Sequence, residues 1–495
     1  MTEYLDVVIV GAGLSGIGAA YRLQTTCPGK SYAILENRPD MGGTWDLFRY
    51  PGIRSDSDMF TLGYPFKPWR DAKAIADGSA ILRYIEETAA ENGIDRSIRY
   101  RTKVIAADWS GETARWTLTL EVGDESGAVE RREIECGFLY TCAGYYNYEH
   151  GHTPEFPGAA TFSGQIVHPQ FWPEDLDYTG KRVVVIGSGA TAVTLLPSMA
   201  EDTSMVTMLQ RSPTWISAVP SRDKTADKLR ELLPANLAHR LIRGKNILTN
   251  IAIYQYCRHW PAAARKMLTA QTTRILGDEK LVAEHFTPRY NPWDQRLCAA
   301  PGADFFKAIK KGKAQVVTDQ IETFVPEGIR LKSGRVLEAD VIITATGLDM
   351  LAFGGITLRV DGDPVKVSDQ YVWEGTMLTG VPNFGICVGY TNASWTLRSD
   401  LTSRMVCRVL NYMDHNGIAA VVPQPEGPIT ERPLLDLASG YIQRAIDQFP
   451  RQGTRTPWRM RQNYLLDTLA TMNTDLGRTL RATPRSAVAK PVPVA

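Results

Sequence analysis

Twice along this chain an apolar, valine-rich run ends abruptly in glycines. Leu5–Val10 leads into Gly11-x-Gly13-x-x-Gly16, and Arg182–Ile186 leads into Gly187-x-Gly189-x-x-Ala192. Runs of this kind read as strands of a parallel sheet buried on both faces. Glycines there allow a tight turn and let a pyrophosphate approach the backbone, with the start of the next helix facing the phosphates. After the first turn, Ala19, Ala20 and Leu23 mark a packing helix, and Ser31–Leu35 reads as a second strand ending in Glu36. That acid stands where a carboxylate binds a ribose hydroxyl pair. Strand, glycines, helix, strand and acid together make a strong dinucleotide signal, whereas a lone glycine triplet is weak. Alanine in the third place of the second turn is an accepted variant. The next strand there, Met205–Leu209, ends in Gln210-Arg211-Ser212 with no acid. Arg211 and Ser212 suit a 2′-phosphate, so this turn (Gly187, Ser188, Gly189, Ala190, Thr191, Ala192, Val193) points to NADPH rather than NADH.

The implied fold is α/β, with two Rossmann-like dinucleotide-binding domains, the second inserted in the first. The first part spans about 1–145, where Phe138–Gly144 reads as a strand ending in small residues. The second domain spans about 146–350 and closes with Val341–Thr344 and Ala345-Thr346-Gly347. Residues 351–495 complete the first domain, with a helix near Asp400–Asn411 and a loose tail after Arg481. A helical insertion at about 222–286 belongs to the second domain. From Arg222 to Arg274 it has eleven Lys/Arg against three acids, beside apolar Ile247, Leu248, Ile251 and Ile253. It reads either as a solvated helix pair or as a membrane-surface or homo-oligomer contact.

Composition narrows the class. Formal net charge is +1 over 495 residues, so no global field suggests a nucleic-acid partner. Seven cysteines lack any C-x-x-C pair, which speaks against a zinc site, a disulfide framework and a disulfide reductase. No signal peptide and no apolar run of spanning length is expected, so the chain reads as cytoplasmic, with peripheral attachment at the inner face of the membrane left open through the basic insertion.

Two strings carry a family resemblance. Gly42-Gly43-Thr44-Trp45-Asp46-Leu47-Phe48-Arg49-Tyr50-Pro51-Gly52-Ile53-Arg54-Ser55-Asp56 resembles the longer signature of type I Baeyer–Villiger monooxygenases. Phe162, Gly164, His168, Trp172 and Pro173 match their short fingerprint. Asn291–Cys298 and Gly389–Leu397 are closest to the ethionamide-activating group within that family. The resemblance implies FAD on Gly11, Gly13, Ser15, Gly16, Glu36, Thr44, Trp45, Asp46, Leu47, Asp56 and Val104. It implies NADP contacts from Arg54, Ser55 and Asp56 as well, and catalytic roles for Arg296 and Asp56. His168 is expected to bond backbone near the domain junction rather than to move protons. The implied reaction consumes NADPH and O2. A peroxyflavin oxygenates a ketone to an ester or lactone, or a sulfur substrate such as a sulfide or thioamide. The alternative is an N- or S-oxygenating flavin enzyme without ketone activity; a non-enzymatic nucleotide sensor leaves Arg296 unexplained. Ketone-oxidising members carry a lysine just before the key arginine, and Gln295 stands there here.

Overall fold

The computed structural model describes residues 2–489. Strand Glu3–Val10 lies at the centre of the first sheet, with Val7 to Val10 all buried. It pairs in parallel with Tyr32–Leu35 on one side and Val129–Thr141 on the other. Ile98–Arg99 and Phe384–Ile386 extend the parallel set outward. Thr102–Ser110, Arg115–Gly123 and Val129–Thr141 form an antiparallel meander on the same sheet. Helices Leu14–Thr26 and Trp395–His415 pack together against it. The second sheet is wholly parallel, in the order Ala314–Thr318, Met205–Gln210, Arg182–Ile186, Val341–Thr344, Gln165–Val167.

The chain crosses between the sheets twice, and the two crossings pair with each other. Tyr146–Gly151 runs out and Leu348–Met350 runs back, antiparallel. Thr346 Oγ1 donates to the His152 carbonyl at 2.6 Å, binding the crossings further. A two-stranded ribbon resists bending better than two separate linkers, because each strand satisfies the other's backbone.

The helical insertion comprises Lys224–Leu232, Ala235–His259, Pro261–Leu276 and Glu279–His285. It is bracketed by two strands that pair with each other, Ile216–Val219 and Cys298–Pro301. Its long helix lies on the first domain. Arg243 is buried and donates through Nη1 to the carbonyls of Phe60, Thr61 and Gly63 at 2.8, 3.2 and 2.7 Å. Asn246 Nδ2 donates to Asp58 at 3.0 Å, and Arg230 donates to the carbonyls of Asp71 and Trp69. Part of the basic excess therefore serves to clamp the insertion down. Leu237, Leu241 and Leu248 of the same helix stay exposed. Among the described residues no helix is long and apolar enough to cross a membrane.

One expectation needs correction, and one string gains a structural place. Within Phe162–Pro173, Gln165–Val167 is the edge strand of the second sheet. Phe162 packs against Phe324, and a Cβ on Gly164 would collide with the Asp340 carbonyl, so the string belongs to the second domain's own packing. The tail is not loose from Arg481 onward. Leu480–Pro484 pairs antiparallel with Ile418–Pro423, giving that strand a backbone partner. Residues 490–495 lie outside the described residues.

Replacing Arg243 by methionine strands three buried carbonyls. We expect a loss of roughly 1–3 kcal/mol or more in urea unfolding. An unchanged unfolding midpoint would show that the long helix is anchored elsewhere.

Candidate active site

Both glycine turns open on one cavity of about 1950 Å³. At the first, a Cβ on Gly16 would collide with the Gly11 carbonyl, and Gly11 itself has φ +99°. Helix Leu14–Thr26 begins at Gly13 with no side chain capping it, so its first N–H groups remain for an anion. Gly13 bridges to Gly42, which brings the two glycine strings back to back. Glu36 is buried at the end of its strand and accepts from the Ala12 and Arg38 amides at 2.7 and 2.9 Å. Burial pushes its carboxyl up from the usual range, and those two amides work against the shift. Ser15 Oγ accepts from Trp395 Nε1 at 2.7 Å. Thr44, Trp45 and Val104 line the cavity. Asp46 and Leu47 stand outside its lining, and the Asp46 carboxylate is held by Arg38 and Arg49.

The second turn is built alike. Gly187 has φ +133° and lies directly over the Ala345 carbonyl. Helix Ala190–Met199 starts at Gly189, again without a side-chain cap. Gly187, Ser188, Gly189, Ala190 and Thr191 line the cavity, while Ala192 and Val193 are fully buried in the second domain's core. Arg211 and Ser212 are exposed on the cavity's rim, and Ser188 Oγ reaches the Ser212 carbonyl at 3.4 Å.

The segment from Phe48 to Asp56 joins the halves. Phe48 and Tyr50 are buried within the second domain's hydrophobic core. Gly52, at φ +75°, sits so close to Ser198 that no Cβ fits. Arg54 pairs with Asp304 of the second domain, and its Nη2 is buried with no partner. Ser55 is buried and accepts from the Ala76 amide at 3.2 Å. Asp56 faces Arg296, with 3.7 Å between Oδ2 and Nη1. Burial opposes the charge of Arg296, but Tyr145, Tyr441 and Asp56 around it more than offset this, so the guanidinium stays protonated. Its long pairing distance leaves donors free toward the cavity, which it lines together with Gln295.

An aromatic wall surrounds that guanidinium. Tyr145 meets Trp395 and Tyr146 edge-on, with ring centroids 5.0 and 4.6 Å apart. Trp293 has φ +72°, a strained value for a tryptophan, and its indole N–H is buried without a partner. Tyr145, Tyr146 and Tyr441 had not been singled out from sequence, where nothing local distinguishes them from core tyrosines. His168 lies off the cavity. Its ring rests on Gly151 of the outward crossing, Nδ1 accepts from the Gln170 amide at 3.2 Å, and Gln170 Nε2 donates to the Asn147 carbonyl at 2.8 Å. Burial lowers its pKa, so the ring is neutral near pH 7. Phe162, Gly164 and Trp172 also stand outside the cavity lining, and Trp172 packs on Tyr178.

Residues 6–228 match the family model described as flavin-binding monooxygenase-like. Over 469 residues, 94% of this chain and 95% of the relative, the chain is 55% identical to the FAD-containing monooxygenase EthA of Mycobacterium tuberculosis. It is 48% identical to the putative FAD-containing monooxygenase MymA of the same organism, over 94% of this chain and 95% of that relative. The chain belongs to the flavin-binding monooxygenase-like family. Among solved structures, an oxidized steroid monooxygenase bound to NADP superposes with a TM-score of 0.70 at 26% identity, covering 86% of this chain and 88% of that one. An open cyclohexanone monooxygenase shares the fold, with a TM-score of 0.70 at 21% identity over 86% and 91% of the two chains. The chain is thus a flavoprotein monooxygenase, as its sequence motifs suggested, and the two cradles suit the family: each offers uncapped helix N–H groups and a glycine approach that a side chain would block.

Gly16→Ala tests the first cradle. The added methyl must displace the Gly11 carbonyl, so we expect a folded protein purified without its yellow flavin absorbance. Full flavin occupancy would move the binding site elsewhere.

Proposed function

We propose that the chain is an NADPH-dependent Baeyer–Villiger monooxygenase that uses FAD and O2 to convert ketones to esters or lactones, and that it oxygenates sulfides and thioamides at the same site. The observation that carries this reading is Arg296, a permanently charged guanidinium on the wall of the cavity that both glycine turns share. The first turn, Glu36, Thr44, Trp45 and Val104 would hold FAD. The second turn, Arg54, Arg211 and Ser212 would hold NADPH.

When bound, the flavin supplies the redox chemistry, using electrons from NADPH to activate dioxygen. The chain's residues supply placement and charge. Arg296 presents fixed donors where negative charge grows on oxygen during transfer, and such a donor is worth most in a site that excludes water. Asp56 orients the guanidinium from 3.7 Å without consuming it. Tyr145, Tyr441 and Trp395 line the cavity beside it. With Gln295 in place of a lysine, the 2′-phosphate falls to Arg211 and Ser212. His168, packed on the crossing ribbon, would position the second domain rather than carry protons.

Two variants test the assignment. Arg296→Ala should still bind flavin and oxidise NADPH, but should release hydrogen peroxide in place of ester, with product formation down about 10²–10³-fold. Wild-type ester yield from that variant would remove Arg296 from the reaction, and oxygenation of sulfur or nitrogen without any ester from ketones would favour the alternative flavin enzyme. Arg211→Ala should raise the Michaelis constant for NADPH roughly ten- to a hundred-fold and leave NADH nearly unchanged, through loss of a charge-assisted contact. Equal losses with both nucleotides would refute the 2′-phosphate role.

A further inference from the structure

A narrow crevice adjoins the cavity on one side. Asn250, Asn392 and Ala393 line the cavity and also a crevice behind it, between helix Ala235–His259 and residues 462–464. The crevice has about 10 Å³ of free space, room for a single water. Gln255 and Asn463, at its far end, also line a cleft of about 570 Å³ on the surface. The three spaces thus adjoin one another through shared wall residues.

The outer cleft is positive and apolar-lipped. Arg455, Arg459 and Arg461 line it, all exposed, and among the described residues none of the three pairs with a carboxylate. Arg461 Nη2 donates to Thr456 Oγ1 at 2.6 Å. Beside them, helix Tyr464–Asn473 presents Leu465, Leu466, Leu469 and Met472 to solvent along one stripe. The inner crevice is closed by a polar gate. Gln462, at φ +55°, accepts from the Thr391 amide at 3.1 Å and takes the Asn392 amide group on its own carbonyl at 2.9 Å. Its Nε2 and Asn392 Oδ1 are nonetheless buried without partners. Unpaired buried amides are costly, so this closure is weakly held.

We infer that cleft and crevice form a subsite for an amphiphile with an anionic head, a carboxylate or a phosphate monoester. The arginines take the head, the leucine stripe shields the first methylenes, and the alkyl chain displaces Gln462 to reach the flavin cavity. Three unpaired guanidiniums select an anion and offer nothing to a neutral alcohol. The inference deepens the proposed function and rests on it for turnover, whereas binding can be measured without turnover.

The test is calorimetry on the flavin-loaded enzyme with laurate, dodecyl phosphate and 1-dodecanol. Both anions should bind at least ten-fold tighter than the alcohol, and the Arg455→Gln/Arg459→Gln double variant should erase that difference. Whichever anion binds tighter identifies the preferred head. Gln255→Trp, which fills the shared wall, should abolish laurate binding and leave NADPH oxidation unchanged. Equal binding of all three probes, or no effect of these substitutions, overturns the subsite. Arginine-dependent binding to anionic phosphatidylglycerol vesicles without binding of monomeric laurate also overturns it, making the cleft a membrane contact. Laurate binding together with no ester from neutral ketones would leave the subsite standing and refute the proposed reaction instead.

Discussion

Everything in this protein depends on the close contact between residues 48–56 and the second domain. Gly52 lies against Ser198 with no room for a side chain, and Phe48 and Tyr50 sink into the neighbouring core. Arg54 reaches across to Asp304, and Asp56 to Arg296. Apolar burial supplies the non-directional part of this union and the ion pairs its register. The paired crossings Tyr146–Gly151 and Leu348–Met350 limit how the domains turn about it. As a result two uncapped helix starts, Gly13 and Gly189, open on one cavity rather than on two separate faces.

The same arrangement explains how a charge is kept ready without being neutralised. A buried guanidinium in full contact with a carboxylate would spend its donors on that partner. At 3.7 Å, Asp56 supports the charge of Arg296 while its remaining N–H groups stay free. Arg243 shows the opposite use of the same side chain. Its Nη1 donates to three backbone carbonyls, and its role is mechanical. Sequence alone does not separate these two arginines by type, because the difference lies in what surrounds each one.

Legibility followed the range of the interactions. The strand–turn–helix units were readable because a parallel strand buried on both faces leaves a continuous apolar run, and because a tight turn under a helix start admits little but glycine. The helix expected at Asp400–Asn411 exists and is longer, Trp395–His415. The insertion's charge excess was visible, but its use was not: Arg230 and Arg243 turn inward onto carbonyls whose positions depend on the other domain. The Phe162–Pro173 string stands out in sequence as a family fingerprint, yet its residues Gln165–Val167 form an edge strand, and three residues carry too little pattern to declare themselves. Leu480–Pro484 was missed for a similar reason, since its strand character comes from its partner Ile418–Pro423.

By itself, then, the sequence determined that there are two nucleotide cradles, which residues turn each of them, and which one lacks the ribose-binding acid. These are local properties, encoded within some thirty consecutive residues by apolar runs and glycines. Only the tertiary structure decided that the cradles share a cavity, that Tyr145, Trp395 and Tyr441 meet around Arg296, and that Asp46 and Leu47 stand outside the cavity lining. The shared cavity and the aromatic wall rest on contacts between segments far apart in sequence, and the place of Asp46 on side-chain pairing with Arg38 and Arg49, where geometry is set by packing and leaves no periodic trace along the chain.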